Sequence, residues 1–372
     1  MNMMAVKTHN RTPAGAKSSV ISRSVLRWYE KNARSLPWRV TPAAIAQGVR
    51  PEPYHVWLSE IMLQQTTVAT VTPRYHEFLQ RWPSVNEMAA APVEDILGQW
   101  AGLGYYARAR NLHKCAVLVA SQYSGHFPDT EEELRTLPGI GDYTAAAIAA
   151  IAFDRRAIVI DGNIERIVSR LFEIETPLPA AKTEIKTRAD EFWPAKRSGD
   201  FAQGLMDLGA TICRPKAPLC LLCPLSKQCR AFASGTAGSL PVKAPKKQKP
   251  TRHGAAFAMQ NSKGEMLFER RPDKGLLGGM LGLPGSPWQE LSDGAALTHA
   301  PAPTAWEKTG KAYHTFTHFH LVLDVYTTKA PKGFRKKGNQ QWVHPDKAQL
   351  PTVMRKAVEA AVCCDANKSC DP

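Results

Sequence analysis

Apolar positions in the first two thirds of the chain recur at helical spacing. Val20, Ile21, Val25, Leu26 and Tyr29 mark an amphipathic helix over 18–36, and Leu36-Pro37-Trp38-Arg39 ends it. A loop rich in proline and glycine runs to Pro53. From Val56 to Val71 the pattern predicts one long helix, with Leu58, Ile61, Met62, Gln65 and Ala69 on one face and Glu60, Gln64 and Thr67 on the other. Further helices are expected at 75–81, 93–100, 107–121, 164–172 and 201–213. Past Ala255 the period shortens: strands are expected at 255–259, 266–270, 314–325 and 341–344, with one late helix at 353–362. The pattern therefore predicts a helical region followed by a separate α+β domain.

Two breaks in the helical pattern carry chemistry. Leu137-Pro138-Gly139-Ile140-Gly141 cannot be helical, because a proline and two glycines interrupt the ladder, yet helices flank it. That is a helix-hairpin-helix whose second helix offers free N–H groups to an anion such as phosphate. Asp161 stands after four apolar residues and opens the pattern Ile164, Ile167, Val168, Leu171. Its plainer role is a helix N-cap, and a cap can also be catalytic. Glu60 is the one carboxylate on its helix's polar face, a position where most glutamates are simply solvated. The turn Gly102-Leu103-Gly104-Tyr105-Tyr106 presents large side chains, either to the core or as a wedge entering a base stack.

The 372 residues leave room for two domains. With 48 basic against 33 acidic residues the net charge is +15, which suits a polyanionic partner. No apolar run approaches 18 residues, so a soluble protein is expected. Four cysteines cluster as Cys213-x6-Cys220-x2-Cys223-x5-Cys229, which speaks for a metal cofactor in a reducing compartment, zinc or iron–sulfur on spacing alone. Cys115 stands alone and Cys363, Cys364 and Cys370 lie in the tail.

Ser59-Glu60-Ile61-Met62-Leu63-Gln64-Gln65-Thr66, Leu137-Pro138-Gly139-Ile140-Gly141, Ile160-Asp161-Gly162-Asn163 and the cysteine set together resemble the helix-hairpin-helix iron–sulfur DNA glycosylases. The order of parts, with the appended domain, is similar to the adenine-removing MutY type. The resemblance implies an all-α glycosylase domain with a [4Fe–4S] loop plus an α+β Nudix-like domain. It implies base excision repair: adenine opposite 8-oxoguanine or guanine in duplex DNA is flipped out and its N-glycosidic bond hydrolysed. Glu60 would protonate adenine, and Asp161 would stabilise the cationic sugar, with Asn163 and Tyr143 positioned to orient Asp161. Trp38 and Arg39 would border the adenine pocket. Gln65, Thr66, Leu103 and Tyr105 would invade the duplex, Gly139 and Gly141 would hold phosphate, and Cys213, Cys220, Cys223 and Cys229 would bind the cluster.

The chemistry asks for such a pair. Adenine is a poor leaving group unless protonated, so the donor must keep its proton near neutral pH, while a second, ionised carboxylate faces the developing sugar cation. Tyr143 stands where endonuclease III-like relatives carry a Schiff-base lysine, which predicts a monofunctional enzyme. The C-terminal part, with Gly275-Leu276-Leu277-Gly278-Gly279 and Leu283-Pro284-Gly285, resembles a Nudix fold without its acidic metal-binding helix, hence a reader of 8-oxoguanine. Phe316-Thr317-His318 matches the family's Phe-Ser-His loop.

The expected layout is a disordered basic arm at 1–17, a glycosylase domain at 18–230 with its cluster loop at 213–229, a basic linker at 231–252, a reader domain at 253–362 and a tail at 363–372. A monomer acting on DNA in the bacterial cytoplasm, at the nucleoid, is expected. The loop Val40 to Glu52 is longer than the family's usual one. A bifunctional abasic-site lyase and a non-enzymatic iron–sulfur DNA sensor are the rival readings; the sensor leaves Glu60 and Asp161 without a purpose.

Overall fold

The computed structural model describes residues 14–245, 248–272, 275–289 and 296–362. Most of the expected arm and the tail with its three cysteines lie outside them. The chain divides into two compact units, one built from residues up to Gln99 with Arg108–Pro245, the other from Trp100–Ala107 and the chain beyond Pro245.

The first unit holds helices α1 (Ala14–Asn32), α2 (Pro42–Ala46), α3 (Pro53–Leu63), α4 (Val68–Arg81), α5 (Val85–Ala90) and α6 (Val93–Gln99). It continues with α7 (Ala107–Gln122), α8 (Glu131–Thr136), α9 (Asp142–Phe153), α10 (Gly162–Phe172), α11 (Lys182–Asp190), α12 (Ser198–Thr211) and α13 (Arg230–Ala233). At its centre runs α9, whose residues Thr144 to Ala152 are all buried. Six alanines in that stretch keep the helix narrow, and α3 and α12 both pack against it. Gly209 brings α12 against the start of α10: a Cβ there would stand 2.5 Å from Asn163 Cβ, so no larger residue fits without displacing Asn163.

Several boundaries differ from the sequence reading. The helix expected over Val56–Val71 is two helices. Gln65 takes a left-handed φ of 58°, and Thr67 caps α4 by accepting a hydrogen bond from Thr70 N–H. Apolar periodicity continues through the turn and so conceals it. The first helix starts at Ala14, inside the expected arm, and ends at Asn32. Residues 231–245, expected as an extended linker, pack on the first unit: Ala231, Ala237 and Leu240 form a small apolar cluster, and Leu178 N–H bonds the Val242 carbonyl at 2.9 Å. These apolar residues all lie ahead of Lys243, where the lysine-rich stretch begins. In the Val40–Glu52 loop, α2 is capped by Thr41.

The second unit is a mixed sheet in the order β3-β2-β1-β5-β4, with β6 also paired to β2. Its strands are β1 (Thr251–Gln260), β2 (Met266–Arg270), β3 (Leu281–Gly282), β4 (Glu307–Thr315), β5 (His320–Lys329) and β6 (Gln340–Val343). Pairing of β1 with β5 is parallel, and helix α14 (Thr352–Val362) buries Val353, Met354, Ala357 and Val358 against this sheet's core. The single strand expected at 314–325 is the hairpin β4–β5, closed at Phe316–Phe319 by Phe316 N–H to the Phe319 carbonyl at 2.9 Å. Alternation runs unbroken through so tight a turn, so the period does not show it.

Candidate active site

One cavity of about 800 Å³ opens in the first unit between α3, the segment after α1, the hairpin and the helices α9, α10 and α12. Glu60 reaches it from α3. The side chain is buried, at 7% exposure, and the Tyr143 hydroxyl donates to its Oε2 at 2.7 Å. Burial raises the Glu60 pKa to about 7, against the pull of the Tyr143 hydrogen bond and of Arg39; Asp161 adds to the rise. Burial also holds Tyr143 well above the usual phenol range, so it stays a donor.

Asp161 lines the same cavity in a different setting. As N-cap of α10 it accepts hydrogen bonds from Asn163 N–H at 2.9 Å and Ile164 N–H at 2.7 Å, and its second oxygen accepts from Asn163 Nδ2 at 2.9 Å. Burial pushes its pKa up, and these three donors and Arg166 pull it only part of the way back. Donors aimed at the carboxylate favour its ionised form. Arg166 Nη2 donates to Asn163 Oδ1 at 2.9 Å, which fixes the amide orientation. The cap and the catalytic candidate are therefore one arrangement.

Trp38, Arg39, Gln65, Gly139 and Gly141 also border this cavity. Gly139 has φ +80°, and a Cβ there would meet Asn111 Cβ at 2.8 Å, so the hairpin needs glycine on both counts. Gly141 caps α9 without a side-chain bond, leaving that helix's first N–H groups open. Thr66 sits in the α3–α4 turn, where Arg108 spans the Ile61 carbonyl at 2.9 Å and Thr66 Oγ1 at 3.4 Å. Sequence reasoning missed Arg34, Gln203 and Asp207. Asp207 is fully buried and accepts from Arg39 Nη1 with both oxygens at 2.8 Å, and from Arg34 N–H at 3.0 Å. Its position on the inner face of an apolar helix, six residues before Cys213, was the available signal.

Cys213, Cys220, Cys223 and Cys229 are free thiols that line one small apolar cavity. Arg170 Nη1 donates to Cys213 Sγ at 3.3 Å and Leu225 N–H to Cys223 Sγ at 3.4 Å. Among the described residues no three metal-binding side chains are set to share one ion. Four thiols around a cavity, with N–H donors to sulfur, form a donor set that suits a sulfur-ligated cluster. Leu221 and Leu222, between two of the cysteines, are exposed.

In the second unit Thr317 and His318 are exposed at the tip of the β4–β5 hairpin, while Phe316 packs on Phe319 and Trp288. Within the Trp100–Ala107 turn Leu103 is buried and Tyr105 exposed. Tyr105 takes φ +47°, and its hydroxyl lies 3.1 Å from Thr317 Oγ1.

The HhH-GPD superfamily base excision DNA repair protein family matches residues 58–195, and the NUDIX domain family matches residues 255–360. A human adenine DNA glycosylase is 33% identical over 92% of this chain and 74% of its own length. The adenine DNA glycosylase of Buchnera aphidicola from Acyrthosiphon pisum is 30% identical over 91% of this chain and 97% of its own. The solved structure of a thermostable thymine-DNA glycosylase overlays 60% of this chain and all of that one, with a TM-score of 0.53 and 28% identity. With a helix-hairpin-helix family match followed by a NUDIX match, and with these identities over nine tenths of its length, the chain belongs to the adenine DNA glycosylase family.

Proposed function

We propose that this chain is a monofunctional DNA glycosylase that hydrolyses the N-glycosidic bond of adenine opposite 8-oxoguanine in duplex DNA. The carrying observation is that Glu60 and Asp161 line one cavity with different partners: Glu60 takes a hydrogen bond from the Tyr143 hydroxyl, and Asp161 takes three from N–H donors of Asn163 and Ile164. Glu60 gives its proton to a ring nitrogen of the flipped adenine, which makes the base a neutral leaving group. Asp161 faces the sugar as positive charge develops at C1′, stabilising or bonding to it, and water completes the hydrolysis. Tyr143, held as a phenol, orients Glu60 and cannot form a Schiff base, so the strand stays intact until alkali is added.

Flipping a base costs a few kcal/mol. The open N–H groups at Gly139–Gly141 take a phosphate, Gln65 and Tyr105 enter the stack, and Trp38 and Arg39 wall the base pocket. The exposed Thr317 and His318 read 8-oxoguanine, with the Tyr105–Thr317 contact giving them a common edge. The four cysteines hold a [4Fe–4S] cluster that, when bound, ties the 213–229 loop and its basic residues Arg214, Lys216 and Lys227 into a fixed surface. The enzyme works as a monomer, at the nucleoid in a bacterial cell. Incubation with a duplex carrying one adenine:8-oxoguanine pair, followed by alkali, tests the reading: cleavage at the adenine supports it, and an uncut strand rejects it.

A further inference from the structure

Arg39 and Asp207 sit beneath Glu60 in an arrangement the reaction does not itself demand. The Arg39 guanidinium, only 8% exposed, gives Nη1 to both Asp207 oxygens at 2.8 Å, and Asp207 is anchored in turn by Arg34 N–H at 3.0 Å. Glu60 meanwhile receives its described hydrogen bond from Tyr143 and none from Arg39, although Arg39 is close enough to act on its charge. An arginine released beside a buried carboxylate would pair with it bidentately and hold it ionised.

We infer that Asp207 is a positioning residue that keeps the Arg39 guanidinium off Glu60, so that Glu60 retains the proton it donates. The inference rests on the proposed role of Glu60 and adds a residue outside the reacting atoms. Among the described residues, the titratable and charged groups around Glu60 are Tyr143 and Asp142 from α9, Asp161 from the cap of α10, Arg34 and Arg39 from the segment after α1, and Asp207 from α12. Arg108, reaching the end of α3 from α7, donates to the Ile61 and Met62 carbonyls and to Thr66 Oγ1. Of the two arginines bound by Asp207, Arg39 is the one that acts on Glu60.

The test reads the Glu60 titration directly in the full chain without DNA, from the side-chain carboxyl 13C resonance of glutamate-labelled protein, assigned by its loss in Glu60→Gln. Asp207→Asn is expected to lower the midpoint by about one pH unit, and Arg39→Gln to raise it. Asp207→Glu, which keeps the charge, should return it to within about half a unit of the parent. In single turnover on the adenine duplex, Asp207→Asn should be about tenfold slower than the parent at pH 8 and within about twofold at pH 6. An unchanged or raised midpoint in Asp207→Asn overturns the inference. If that variant does not fold, an Arg39→Gln midpoint equal to or below the parent's overturns it instead. Failure of the parent chain to release adenine would remove the proposed reaction, while the 13C midpoints would still decide what Asp207 does.

Discussion

The Tyr143 hydroxyl donates to Glu60 Oε2 at 2.7 Å, joining the residue after the hairpin to a carboxyl more than eighty positions earlier in the chain. This bond favours the carboxylate and so works against the burial that lifts Glu60 to about 7. Tyr143→Phe should therefore move the alkaline limb of adenine release to higher pH, by about half a unit to one unit. A limb that stays put, measured by single-turnover rates from pH 5.5 to 9, would mean that Tyr143 does not set the proton on Glu60.

Glu60 also leaves a mark on stability. Its folded pKa of about 7 lies above the ordinary glutamate value of 4.5, so the folded state binds this proton more tightly. Its contribution is fully present below pH 4.5 and is lost as pH rises through 7. Glu60→Gln should thus gain stability relative to the parent between pH 5 and pH 8, by up to about 3 kcal/mol. Urea unfolding at the two pH values checks this, and a difference independent of pH would contradict it.

Recognition of the opposite base is predicted to sit at the β4–β5 tip. Phe316→Ala combined with His318→Ala should leave adenine release opposite guanine within about threefold of the parent and lose most of the preference for 8-oxoguanine. Rates on the two duplexes, compared under single-turnover conditions, decide it; an intact preference would move the reader elsewhere.

The cysteine loop should carry iron. About four irons and four acid-labile sulfides per chain are expected from protein made under reducing conditions, falling to below one of each in Cys223→Ser. One zinc per chain in place of iron would assign the four thiols to a structural ion.

Legibility in the sequence followed the physics of each signal. Long apolar periods gave the helical unit and the late α+β unit, and glycine and proline punctuation gave the hairpin. Features made by one residue's backbone did not show: the left-handed Gln65 splits α3 from α4, and the Phe316–Phe319 turn divides one expected strand into two. Asp161 was readable because an N-cap has a local pattern. Burial of Glu60 was not, because it depends on α9 crossing α3 from eighty residues away. Asp207 showed only as an acid on an apolar helix face, and its role did not show for the same reason: its partners Arg34 and Arg39 lie about 170 positions earlier, and no local period encodes a buried ion pair of that separation.

The central claim is that Glu60 and Asp161 act together on one nucleoside. Its most direct measurement is the single-turnover release of adenine from a duplex with one adenine:8-oxoguanine pair, in the parent, Glu60→Gln and Asp161→Asn. Asparagine caps a helix as well as aspartate does, so the second variant should fold and still lose its charge. Alkali-dependent cleavage in the parent, with losses of at least about a hundredfold in each variant, is the predicted result. Parent-like rates in either variant would contradict the account.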